Sequence, residues 1–114
     1  MEWIPRQHPR FKAVLPVELR PLGQPVPLRA QTKDISLGGI YVEMILTQKV
    51  STEVDITLWI RERKIRAKGV VVSLHPAFGN GIKFTEFADE DRKGLQQFVD
   101  GLGIRPKAAS MGAN

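Results

Sequence analysis

The sequence predicts a mainly β fold, a six-stranded antiparallel β-barrel closed at one opening by a C-terminal α-helix. Three observations predict it. Apolar and polar residues alternate with period two along most of the chain, in runs bounded by Gly, Pro and Asn. Only one stretch, after Phe87, changes to the 3.6-residue period of a helix. Strands of similar short length in a chain of 114 residues would leave exposed edges in an open sheet, and closure removes them.

The elements follow in order. Ala13 to Arg20 and Val26 to Ile35 are extended, and Pro21-Leu22-Gly23-Gln24-Pro25 between them is a turn. Gly39 to Ile45 is the next strand, with Ile40, Val42 and Met44 alternating against Tyr41 and Glu43. Asp55 to Ile60 places Ile56, Leu58 and Ile60 on one face. Arg61-Glu62-Arg63 turns the chain into Lys64 to His75, where Ile65, Ala67, Gly69 and Val71 oppose Arg66, Lys68, Val70 and Val72. The second half of that run is apolar on both sides, which suggests a path through the middle of the sheet. Pro76 to Asn80 reads as a loop and Gly81 to Thr85 as the last strand, with Ile82 and Phe84 inward. Acids at Asp89-Glu90-Asp91 suit a helix N-terminus, and Leu95, Phe98, Val99 and Leu102 recur at helical spacing. Gly101 and Gly103 mark its expected end. The organisation expected is therefore an N-terminal loop over 1–12, a barrel with its helix over 13–103, and a loose tail over 104–114.

Composition narrows the function. Hydrophobic residues at 42% and charged residues at 25% belong to a folded globular domain. The chain has no cysteine, so disulfides and thiolate metal sites are excluded. The absence of a long apolar run and of a signal-peptide core leads to the expectation of a cytoplasmic protein without membrane insertion. A net charge of +5 points to an anionic partner. The basic surplus lies in residues 1–33, through Arg6, Arg10, Lys12, Arg20, Arg29 and Lys33, and in Arg61 to Lys68. The second cluster reads as a solvated hairpin tip or as a contact surface for nucleic acid or an acidic partner.

Two short motifs carry chemistry. Arg6-Gln7-His8-Pro9-Arg10 supplies two permanently charged planar forks suited to phosphate oxygens or to the O6/N7 edge of guanine. Pro5 and Pro9 hold this segment out of helical conformations, so it is a loop. Asp34-Ile35-Ser36-Leu37-Gly38-Gly39 supplies a carboxylate that can accept from guanine N–H groups, a hydroxyl that can donate to phosphate, and glycine for close backbone approach. The specificities differ. In a chain with this many arginines R-x-x-x-R arises by chance on the order of once, whereas D/N-x-S-x-x-G arises in roughly two such chains in a hundred.

This pair of motifs resembles the PilZ domain, a bacterial family of receptors for cyclic di-GMP, over roughly residues 4–103. The resemblance implies the same barrel with a terminal helix. It also implies that Arg6, Arg10, Asp34, Ser36 and Gly39 bind cyclic di-GMP: the arginines on guanine edges and phosphates, Asp34 on guanine, Ser36 and Gly39 lining the pocket. Binding would rearrange the N-terminal loop and signal to a downstream protein partner that the sequence does not identify. Pro5 stands where many members carry another arginine. One ligand per chain is favoured, and a stacked pair stays open.

Each motif also has a plainer reading. The arginines could form a solubilising N-terminus, and Asp34 to Gly39 a turn in which Asp or Ser bonds nearby backbone and Gly takes a positive φ. Gly38 could simply ease that turn. Trp3 reads as barrel packing more readily than as base stacking. His8 and His75, far apart and without acidic neighbours at ligand spacing, give no metal site, and no arrangement of residues suggests catalysis. No resident cofactor is expected. The rival functions are a protein-interaction module of the same fold that binds no nucleotide, and a nucleic-acid-binding barrel using Lys64, Arg66 and Lys68 with Trp59 and Phe84.

Overall fold

Seven strands and one helix make up the computed structural model, which describes residues 8–111, with side chains described through Gly103. The strands are β1 (Phe11–Lys12), β2 (Pro16–Pro21), β3 (Leu28–Ile35), β4 (Gly39–Glu43), β5 (Glu53–Ile60), β6 (Arg63–His75) and β7 (Gly79–Phe87), followed by α1 (Asp89–Met111). All pairings are antiparallel and run in the order β1-β3-β2-β5-β6-β7-β4, with an additional β3–β4 pairing that closes the sheet. The result is the expected closed six-stranded barrel, with β1 as one extra strand laid along β3.

Alternation decides the interior. Val17 and Leu19 of β2, Ile40 and Val42 of β4, Ile56, Leu58 and Ile60 of β5, and Ile65, Ala67 and Val71 of β6 are buried together with Ile82 and Phe84 of β7. From α1, Leu95 and Val99 join this core, while Phe98 and Leu102 pack against it half-buried. A fully buried Leu or Ile contributes about 1.5–3 kcal/mol, so the period-two pattern outweighs any single surface interaction. Three bulges interrupt the register. Lys33 is the extra residue of β3 opposite β4, Val72 the extra residue of β6 opposite β7, and Thr85 the extra residue of β7 opposite β6.

The structure corrects several expectations. Phe11 and Lys12 form a strand rather than loop, because β3 offers them a free edge beyond the end of β2. The first long strand begins at Pro16 instead of Ala13. Gly79 and Asn80 belong to β7, not to the preceding loop. The end of β6 is not covered on both faces: Val72 is exposed. The helix runs on as backbone through Gly101 and Gly103 to Met111, where a loose tail was expected. Glycine weakens a helix by about 1 kcal/mol per residue but does not forbid it.

The connections define two ends of the barrel. The β3–β4 turn, the β5–β6 turn at Arg61 and Glu62, and the start of α1 lie at one end, the motif end. The β2–β3 loop, the β4–β5 loop and the β6–β7 turn lie at the other, the distal end.

Candidate functional site

The site begins with how β3 ends. Beyond β2 the chain must pass from one partner to another, and the buried hydroxyl of Thr32 manages the change. It donates to the Ala13 carbonyl at 2.6 Å and accepts from the Leu15 N–H at 3.0 Å. Ladder bonds from Thr32 N–H to the Leu15 carbonyl and from Ala13 N–H to the Lys33 carbonyl complete the splice. The N-terminal segment is thereby fastened to the outside of β3, with Lys12 opposite Asp34 and Phe11 opposite Ile35.

Continuing that register places Arg10 at the level of Ser36 and His8 at the level of Gly38. The side chains agree. A Cβ built on Gly38 would lie 2.9 Å from His8 Cδ2, so the imidazole occupies the space that the missing side chain leaves. His8, which lies between the two arginines of the first motif, therefore rests on the second motif. Arg10 is exposed and makes no ion pair among the described residues. Arg6 and Trp3 lie outside the described residues.

Ser36 holds the β3–β4 turn. Its Oγ accepts from the N–H groups of Gly38 at 3.0 Å and Gly39 at 3.1 Å, and donates to the Gly39 carbonyl at 3.4 Å. The Ser36 N–H donates to the same carbonyl at 2.9 Å. The residue is 6% exposed, so the first role of its hydroxyl is to fix the turn. Gly39 is required by close approach: an added Cβ would overlap the Ile82 carbonyl oxygen of β7. Neither Gly38 nor Gly39 has a positive φ, so the plainer reading of Gly39 as a positive-φ turn residue does not hold.

Asp34 sits half-buried on the outer surface, opposite Lys12 of β1 and Tyr41 of β4. Its carboxylate has no hydrogen-bond or ion-pair partner among the described residues. Burial, followed by the negative charges of Glu43 and Asp34, pushes the Tyr41 hydroxyl above the ordinary phenol range. Tyr41 is neutral at physiological pH, and its hydroxyl lies 2.9 Å from His75 Nδ1. Of the five residues singled out by the motifs, the structure brings Arg10, Asp34, Ser36 and Gly39 to one end of β1, β3 and β4. Sequence reasoning missed Lys12, which joins them through its pairing with Asp34. It also missed the seat of His8; only the β1 pairing reveals either.

Among the described residues a prominent cleft lies elsewhere. It has a volume of about 690 Å³ on the outer side of β5 and β6, across the barrel from the motifs, and includes Arg20, Asp55, Trp59, Lys64, Arg66 and Lys68. Lys64 Nζ stands 5.9 Å from the centre of the Trp59 ring. Cations in this cleft face Glu18, Asp55, Glu86 and Asp91, and the Arg20–Asp55 pair closes at 3.2 Å. The charges balance locally. Volume alone does not mark the site; the unpaired Asp34 and Arg10 beside a fixed turn are the stronger signal.

A protein-family model, that of the PilZ domain, matches residues 5–101. The chain belongs to the PilZ domain family. The PilZ match contains both motifs, the barrel and the helix through Gly101. Solved structures with the same fold include inhibitor of motility MotI of Bacillus subtilis, at 24% identity and TM-score 0.74, covering 94% of this chain and 53% of that one. The PilZ domain of CeSA from a cellulose-synthesising bacterium matches at 23% identity and TM-score 0.67, over 82% of this chain and 97% of that one. The PilZ domain of Escherichia coli YcgR, solved with c-di-GMP, matches at 13% identity and TM-score 0.73, over 92% and 96%. The chain thus spans about half the length of MotI. No curated protein matches the sequence.

Proposed function

We propose that the protein is a cyclic di-GMP receptor whose ligand is held at the motif end by Arg6, Arg10, Asp34, Ser36 and Gly39. The observation that carries this reading is the seat of His8 on Gly38 together with the Phe11–Ile35 register. These bring His8 and Arg10 against the β3–β4 turn, beside Asp34 at the end of β3, although the two motifs are far apart in the chain. Family membership, together with the c-di-GMP held by the YcgR PilZ domain, suggests the ligand's identity.

In this reading each group has one task. Arg10 and Arg6 make charge-assisted bonds to phosphates and guanine edges. Asp34 accepts from guanine N–H groups, for which its unpartnered carboxylate is available. Ser36 keeps the turn in place, and Gly39 lets the turn pack against the β7 backbone at the edge of the pocket. Ligand contact with one arrangement of residues 1–12 shifts the segment toward that arrangement, and a protein partner reads the change. The family consists of receptor modules, and we infer no catalysis and no resident cofactor here. We also assign the protein to the bacterial cytoplasm.

The nucleic-acid alternative loses one of its stacking residues, since Phe84 is 8% exposed and packed against Phe87. Calorimetric titration of the folded protein with cyclic di-GMP tests the proposal. Saturable binding is expected at or below micromolar ligand, and its stoichiometry reports one ligand or a stacked pair. An absence of heat at tens of micromolar ligand leaves the interaction module that binds no nucleotide.

A further inference from the structure

The distal end of the barrel gathers almost all of the apolar side chains that face solvent. Among the described residues every strongly exposed large hydrophobic side chain except Val14 lies in the β2–β3 loop, the β4–β5 loop, the β6–β7 turn or the last residues of β6. Ile45 is 79% exposed, Phe78 75% and Leu22 73%. Single exposed hydrophobics need no explanation, but a collection at one end of a small barrel does.

These loops are held, not loose. The buried Asn80 side chain accepts from the Gln48 N–H at 2.7 Å and donates to the carbonyls of Gln48 at 2.8 Å and Ser73 at 3.1 Å. The Met44 N–H donates to the Phe78 carbonyl, the Ser51 N–H to Val71, and the Leu22 N–H to Glu53. The three connections are joined through backbone bonds into one platform. Burying a polar side chain to pin a loop whose tips remain apolar is an arrangement suited to docking.

Charge identifies the occupant. The distal loops, residues 22–27, 44–52 and 76–78, contain a single charged residue, Lys49, in a chain of net charge +5. The acids Glu43 and Glu53 stand exposed where the β4–β5 loop leaves and rejoins the barrel. A two-fold contact places a surface against itself, so charged faces of one sign oppose each other. Here the centre is uncharged, and Lys49 of one copy can face Glu43 or Glu53 of the other. An apolar centre with a complementary polar rim is the anatomy of a homodimer interface. An anionic membrane surface or a nucleic acid would instead favour cations around the apolar tips.

We propose that the distal end is a self-association surface through which two copies of this chain pair, with their motif ends facing outward. The inference is independent of nucleotide binding. The test is sedimentation equilibrium with light scattering on the full chain, from low micromolar to millimolar concentration. A monomer–dimer equilibrium is expected. Phe78→Ser and Ile45→Asp, at positions too exposed to threaten folding, should each raise the dimer dissociation constant at least tenfold with an unchanged circular-dichroism melt. Lys49→Glu should weaken the dimer, and Lys49→Glu combined with Glu53→Lys should restore it. A protein monomeric throughout that range overturns the proposal. So does a dimer insensitive to these substitutions, or a platform that instead captures neutral or anionic lipid vesicles. Failure of the nucleotide titration would leave this result untouched, and the reverse also holds.

Discussion

The two ends of this barrel are built from the same alternating strands and differ in what their turns present. At the motif end a serine hydroxyl folds the β3–β4 turn inward on itself, and the groups left unpartnered are charged: Arg10 and Asp34. At the distal end a buried asparagine pins the loops, and what is left unpartnered is apolar. In both, a polar side chain satisfies the backbone of an irregular segment, so that the exposed residues are free of structural duty. The difference teaches where to expect small charged ligands and where to expect protein.

That comparison can be broken most forcefully at the arginines. Arg10→Ala and Arg6→Ala should each weaken cyclic di-GMP binding by about 2–3 kcal/mol, on the order of a hundredfold, since each loses charge-assisted bonds. Titration of either variant reads the change, and dimerisation should not move. Unaltered affinity would detach the first motif from the site. Next in size is Asn80→Ala. It removes three side-chain hydrogen bonds and strands buried partners, costing about 2 kcal/mol of stability. A denaturant melt measures the loss, and self-association should weaken while the nucleotide affinity of the folded protein stays the same. If both ends weaken together, they are not separate units.

A smaller effect sharpens the motif end. Gly38→Ala sets a methyl group against His8 and should lower nucleotide affinity severalfold, about 1 kcal/mol, by displacing the arginine segment. His8→Ala in the same chain should return most of it, which a purely local defect in the turn would not do. The smallest effect concerns Tyr41. Its pKa is raised above 10.0 in the folded protein, so its contribution to stability is complete below pH 10 and is lost as pH rises through the folded value. Tyr41→Phe should flatten that alkaline loss in a pH series of thermal melts. An identical slope in both proteins would place the loss elsewhere.

Much of the fold could be read from the amino acids because burial has a period. Ile56, Leu58 and Ile60, or Ile40 and Val42, announce both strand and inward face, and Leu95, Val99 and Leu102 announce the helix. What could not be read depends on partners remote in the chain. Phe11 and Lys12 form a strand only because β3 has an edge free at that point, which no local propensity records. The bulges at Lys33, Val72 and Thr85 likewise arise from pairing. Asn80 looks like a loop residue in its Gly-Asn-Gly context and becomes the buried pin of the distal loops. At the site, the residue types and spacing of the second motif were legible. The need for Gly39 was visible, but its cause was not: it lies in the backbone of β7, far along the chain.

The β4–β7 seam gives the barrel a kinetic character. The β2–β3, β3–β4, β5–β6 and β6–β7 pairings are local hairpins, whereas β2–β5 and β4–β7 join distant parts of the chain. Pairings of that kind form late and set the pace of folding, in roughly milliseconds to seconds for domains of this type. Gly39 is packed against Ile82 in one of those late seams. The turn of the second motif is consequently completed only at ring closure, so a chain short of closure carries both motifs without the arrangement the proposed site needs.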